Sequence, residues 1–104
     1  MDNKEDQSFV KFPQDIYDAI LSQRLTITQE RALLYIVRKT AGFHKEEDRI
    51  SISRMAIETG YCRRAMIKAV HDLRKMRIIQ CGTITNGQPT FMRVLPPSFW
   101  GNNL

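Results

Sequence analysis

The sequence predicts an α+β domain, mostly helical, built as a winged helix-turn-helix with a C-terminal two-stranded β-hairpin wing. Three observations predict it. Apolar residues recur at helical spacing in four separate segments. Gly60 stands in a tight turn between the last two of them, as a helix-turn-helix pair requires. The dipeptide Asn86-Gly87 separates two short runs of strand-forming residues, a strong hairpin signal.

The elements follow in order. Residues 1–8 are polar and mixed in charge and read as a disordered tail. The domain proper is expected over residues 9–95, with a C-terminal tail over 96–104. Ile16, Tyr17, Ile20 and Leu21 give a short first helix with Pro13 near its start. Leu25-Thr26-Ile27 joins it to a second, whose expected N-cap is Thr28, with Gln29 and Glu30 in the first turn. Ala32, Leu33, Leu34, Ile36 and Val37 make this the central core helix, which Ala41-Gly42 ends. A polar loop covers residues 43–49, and Ile50-Ser51-Ile52 alternates as a very short strand. Ser53 is the expected cap of a helix carrying Met55, Ala56 and Ile57, which stops at Thr59-Gly60. A longer helix runs from about Cys62 to Met76. Strands over Ile78–Thr83 and Thr90–Leu95 flank the Asn-Gly turn, with Pro89 confining the second to an edge. The simplest account of Pro96–Trp100 is packing back on the domain. An exposed Phe99-Trp100 pair would instead mark a dimer or partner contact.

Composition narrows the function. A chain of 104 residues is one domain. Its two cysteines, Cys62 and Cys81, make no disulfide framework, and no stretch approaches the ~18 apolar residues of a membrane span. The expected setting is cytoplasmic and reducing. His44 and His71 lack metal-ligand spacing, Cys62 has no identifiable base, and no phosphate loop or nucleophile motif is present. No enzyme activity, metal or cofactor is expected.

Charge is more telling. The net charge is +5, and it is unevenly placed: residues 61–104 carry seven Lys and Arg against the single acid Asp72. On the helix from Cys62 to Met76, steps of about 100° put Ala65, Met66, Ala69, Val70, Leu73 and Met76 on one face. Arg63, Arg64, Lys68, His71, Arg74 and Lys75 fall on the other. A merely solvated face normally mixes signs. A one-sign face on the second helix of the pair points to the major groove of double-stranded DNA. Arg63, Arg64, Ile67, Lys68 and His71 are the candidate base-facing residues. Ile67, alone among the cations, is either a stray surface aliphatic or a contact to a thymine methyl. Arg49, Arg54, Arg74, Lys75, Asn86 and Arg93 are the candidate backbone contacts.

The stretch RKTAGFHKEEDRIS (residues 38–51), followed by MAIETGY (55–61), RRAMIKAVHDL (63–73) and RII (77–79), resembles the N-terminal domain of the bacteriophage replication protein O family. Phe9 to Pro13 also looks similar, so the resemblance spans roughly residues 9–82. Ala41 stands where the family usually has an aromatic residue, and Cys62 where it usually has a small hydroxyl cap. The resemblance implies recognition of repeats in a phage replication origin, as a homodimer. Family members continue into a region that recruits the replicative helicase, a role not expected of these 104 residues. Two other functions fit the same surface: transcriptional regulation in a phage or mobile element, and inhibition of a host protein, or capture of a phage one, by a small winged-helix protein.

Overall fold

The computed structural model describes residues 13–40, 45–85 and 88–101. Among them are four α-helices and one three-stranded antiparallel sheet, an α+β arrangement. Helix α1 spans Gln14–Ser22, α2 Ile27–Lys39, α3 Ile52–Thr59 and α4 Arg63–Lys75. The strands are β1 (Asp48–Ile50), β2 (Ile79–Cys81) and β3 (Thr90–Val94), and a 3-10 turn over Pro97–Phe99 follows. The expected tail 1–8, the helix stop at Ala41-Gly42, His44 and the Asn86-Gly87 turn lie outside the described residues.

Two helix starts differ from expectation, each by two residues. Thr26, not Thr28, caps α2: its hydroxyl accepts from Gln29 N at 3.2 Å, while Gln29 Oε1 accepts from Thr26 N at 3.0 Å. That reciprocal box needs Gln or Glu three residues after the cap. Thr28 has Arg31 there and cannot form it. Ser51, not Ser53, caps α3 by accepting from Arg54 N at 3.2 Å. Ile52 therefore opens the helix instead of closing a strand, which puts Ile52, Met55 and Ala56 on one buried face. The preceding strand shifts to Asp48–Ile50 accordingly.

The sheet order is β1-β3-β2. β3 pairs with β2 in the register Ile79↔Val94 and Cys81↔Met92, and with β1 in the register Asp48↔Met92 and Ile50↔Thr90. The third strand corrects the expected two-stranded hairpin, and it makes β3 the central strand instead of an edge. Pro89 is tolerated because it lies one residue before the ladder begins, where no strand N–H is required.

Leu33, Ile36 and Val37 of α2 meet Met55 of α3, Met66, Val70 and Leu73 of α4, and Ile79 and Met92 of the sheet in a common core. The helical spacing of α4 is as expected: Met66, Ala69, Val70 and Leu73 are its buried residues. The chain stays folded beyond residue 95. Trp100 is buried, its indole N–H donates to Leu95 O at 2.8 Å, and Gly101 N donates to Met76 O at 2.7 Å. A buried Trp contributes a large apolar area once its N–H finds a partner. Of the aromatic pair, only Phe99 remains exposed. No helix among the described residues is long and apolar enough to cross a membrane.

Candidate nucleic-acid interface

Helices α3 and α4 are joined by Gly60, Tyr61 and Cys62. Gly60 takes φ 83°, in the left-handed region, and its N–H caps Ala56 O at 2.9 Å. That conformation ends α3 at once and turns the chain into α4 with little strain, because glycine has no Cβ.

A polar cluster holds α3 against α2. Arg54 Nη2 donates to Glu58 Oε2 at 2.9 Å, and Lys39 Nζ reaches Glu58 Oε1 at 4.0 Å. The same ammonium lies 5.4 Å from the centre of the Tyr35 ring. Burial, then the hydrogen bond and the charge of Glu58, push the Tyr35 phenol up to about 12. A second tie runs from α2 to α4, where Gln29 Nε2 donates to Asp72 Oδ2 at 3.1 Å. Burial of Asp72 opposes ionisation. Hydrogen bonds from Gln29 and Lys68, with the charges of Lys68 and Lys75, outweigh it and hold the carboxyl below its usual value.

With its apolar stripe in the core, α4 turns Arg64, Lys68, His71, Arg74 and Lys75 to the outside, all exposed. Asp72 is the single acid on the helix and is half-buried toward α2. Lys68 Nζ lies 3.2 Å from Asp72 Oδ2, a surface pair of the kind worth ~0.3–0.5 kcal/mol, so a phosphate can displace it. Arg54 is exposed as well and equally available. Arg49 is exposed on β1, and Asn86 lies outside the described residues.

Three expected site residues sit differently from the open face foreseen for them. Arg63 is half-buried, and its Nε donates to Ser53 Oγ at 3.1 Å, so its guanidinium braces α3 against α4. Ile67 is half-buried and packs on the edge of the core, which is why an aliphatic residue is stable among the cations. Arg93 is half-buried with its Nε enclosed, facing an open cavity of about 300 Å³ beside Asp15, Ile16, Val37 and Glu46. No residue of α4 lines that cavity, so Arg93 stands apart from the α4 cations. In the sheet Arg93 is the central strand's partner to Gln80, the middle of the three β2–β3 pairs.

The start of α4 is chemically open. Cys62 is its N-cap, yet the thiol makes no capping hydrogen bond. The first N–H groups of the helix are thus without the side-chain acceptor that Ser, Thr, Asp or Asn would supply. Ser51, Ser53 and Arg63 line a narrow crevice there together with Ile52 and with Ile84, Thr85 and Gln88 of the β2–β3 connection. Among the described residues no group of three or more His, Cys, Asp and Glu side chains could hold a metal ion.

Sequence reasoning missed the Arg63–Ser53 brace and the Gln29–Asp72 tie. Both join residues far apart along the chain, or on separate helices, through geometry that no local pattern carries. It also missed Arg24 and Arg77, which line one concavity near the C-terminal end of α4.

No curated protein matches the chain at a significant level. The family model described as bacteriophage replication protein O matches residues 2–89, a span holding all four helices, β1 and β2. The chain therefore belongs to the bacteriophage replication protein O family.

Proposed function

We propose that this phage replication protein domain is a winged helix-turn-helix that binds double-stranded DNA, with α4 as the recognition helix in the major groove. In this reading α3 and α4 are the helix-turn-helix, and the segment around β2 and β3 is the wing. One observation carries the reading: α4 exposes Arg64, Lys68, His71, Arg74 and Lys75 on one side while burying Met66, Ala69, Val70 and Leu73 on the other. Arg64, exposed in the first turn, is the foremost reader of a guanine edge, because Arg63 is engaged with Ser53. Lys68 and His71 lie one and two turns further along the same side. The uncapped N–H groups at Cys62–Arg64 suit a phosphate oxygen, as helix N-termini do. Arg54, Arg74, Lys75 and Arg49 serve the backbone. The domain works by binding, without catalysis or cofactor, and its target is a set of repeats in a phage replication origin, bound by two copies.

The experiment is selection of bound duplexes from a random pool, with affinity measured across salt concentrations. Four to six neutralised phosphates give a slope of log K against log salt of about −4 to −5. The enriched site recurs as repeats within the phage's own replication origin, with half-sites one helical turn, ~10 base pairs, apart. Enrichment of a site found only beside promoters would make the protein a transcriptional regulator. A flat salt response with no enriched site would remove the DNA reading in favour of a protein partner.

A further inference from the structure

We infer a second phosphate-binding site, formed by Arg24, Lys75 and Arg77 at the C-terminal end of α4, which grips the backbone of duplex DNA flanking the recognised site. The inference rests on the α4 reading and extends it, through Lys75, to Arg24 and Arg77, which that reading does not use.

The site is an open concavity of about 820 Å³ between the end of α1 with the two residues after it (Ser22, Gln23, Arg24) and the end of α4 with the two residues after it (Lys75, Met76, Arg77). Three cations line it, and no carboxylate does among the described residues. Arg24, Lys75 and Arg77 are all exposed, and none forms an ion pair with a described residue.

The backbone under Arg77 is the independent observation. The helix ends in a Schellman arrangement: Ile78 N donates to Leu73 O and Arg77 N to Arg74 O, both at 3.0 Å. Its pivot needs a left-handed residue, and Arg77 takes φ 61°, the sole non-glycine residue with positive φ among those described. Glycine is the residue that adopts this conformation without penalty. An arginine held there against its backbone preference points to a use for its side chain. That use is not to hydrogen-bond the carbonyls at the end of the helix. The carbonyls of Asp72, Leu73, Arg74 and Met76 all accept backbone N–H groups already. The positive charge is left to an external anion.

Length decides which anion. The 13 residues of α4 span about 20 Å, against a major groove about 12 Å wide. With its first turn at the base edges, the last turn lies beyond the groove wall, at the phosphates. The exposed cations along α4 lead toward the concavity, with Asp72, half-buried and tied to Gln29 and Lys68, the one acid of the helix. A free acidic peptide would meet the three cations but has no reason to be aligned with α4.

The test uses a labelled duplex of about 24 base pairs carrying the selected site at one end, about 80 Å long at ~3.4 Å per base pair. The unaltered chain, Arg77→Gly, Arg24→Ala and Arg64→Ala are compared by fluorescence anisotropy across salt concentrations, with thermal melts of each free protein. One lost phosphate contact reduces the salt slope by about 0.9 and weakens binding about eightfold at ~0.1 M salt. Arg77→Gly and Arg24→Ala are expected to show that loss, with the Arg77→Gly melting midpoint unchanged or raised. Loss of binding together with gain of stability is not what a merely structural arginine would give. Unchanged affinity and slope in both, with Arg64→Ala still weakening binding, overturns this site and leaves the α4 reading standing. Losses in both with no effect of Arg64→Ala uphold the site and overturn the α4 reading. No duplex binding by the unaltered chain overturns the two together. Binding of poly-glutamate that Arg77→Gly abolishes, at unchanged duplex affinity, overturns it in favour of an acidic peptide.

Discussion

Helices α2 and α4 are each 13 residues long and each bury four residues in the same core, yet they begin in opposite ways. At the start of α2, Thr26 and Gln29 satisfy each other's backbone N–H groups, and Gln29 goes on to hold Asp72. At the start of α4, the Cys62 side chain makes no capping hydrogen bond. A helix whose work is internal closes its own end. A helix whose end faces outward can leave its first N–H groups for whatever docks there, and lose some stability in doing so.

The largest effects should erase the difference between the two helices. Leu33 and Leu73 are both fully buried, one on each helix. Leu33→Ala and Leu73→Ala should each destabilise the domain by about 3 kcal/mol in urea denaturation, within the usual range for such truncations. A much smaller loss for Leu73→Ala would mean that α4 is not an equal member of the core. The next effects should separate the helices. Thr26→Ala should cost about 1 kcal/mol, while Cys62→Ser should add up to about 1 kcal/mol by restoring a cap. If both changes destabilise, the thiol contributes to α4 in a way its geometry does not suggest. The smallest effect concerns the tie between the helices. The Asp72 carboxyl is held below its usual value, so its contribution is present above the unfolded pKa near 4 and fades as pH falls through the lower folded value. Relative to Asp72→Asn, the unaltered protein should lose its advantage below about pH 4. An advantage that persisted at pH 2 would have to come from something other than the ionised carboxylate.

The same contrast explains what could be read without the structure. The buried stripe of α4 was legible because Met66, Ala69, Val70 and Leu73 recur at helical spacing, and the exposed cations follow from the same arithmetic. The Thr26 cap was legible too, had the Gln three residues later been weighed against the Arg that follows Thr28. Periodicity fails where neighbours on other elements decide. Ile67 looks solvent-facing by angle alone, but it is partly buried and packs against the core. Arg63 lies at the edge of the cationic arc in projection, next to buried Val70, and Ser53 on α3 draws its guanidinium aside. The pairing of β1 with β3 joins residues about forty positions apart, with nothing local to mark it. Arg77 is the least legible of all. An arginine after a helix reads as an ordinary surface cation until its φ is known.

The double pairing of β3 has a consequence for how the domain meets a partner. β1 leads into α3 and β2 leads out of α4, and both are hydrogen-bonded to that one strand. The two helices are thereby closed into a loop of chain whose ends are fastened on either side of β3. Neither helix can swing without breaking a ladder, so the pair reaches its target as a preformed body. Almost no conformational entropy has then to be surrendered between these helices at the moment of encounter. The ordering has been done in advance by a strand of five residues.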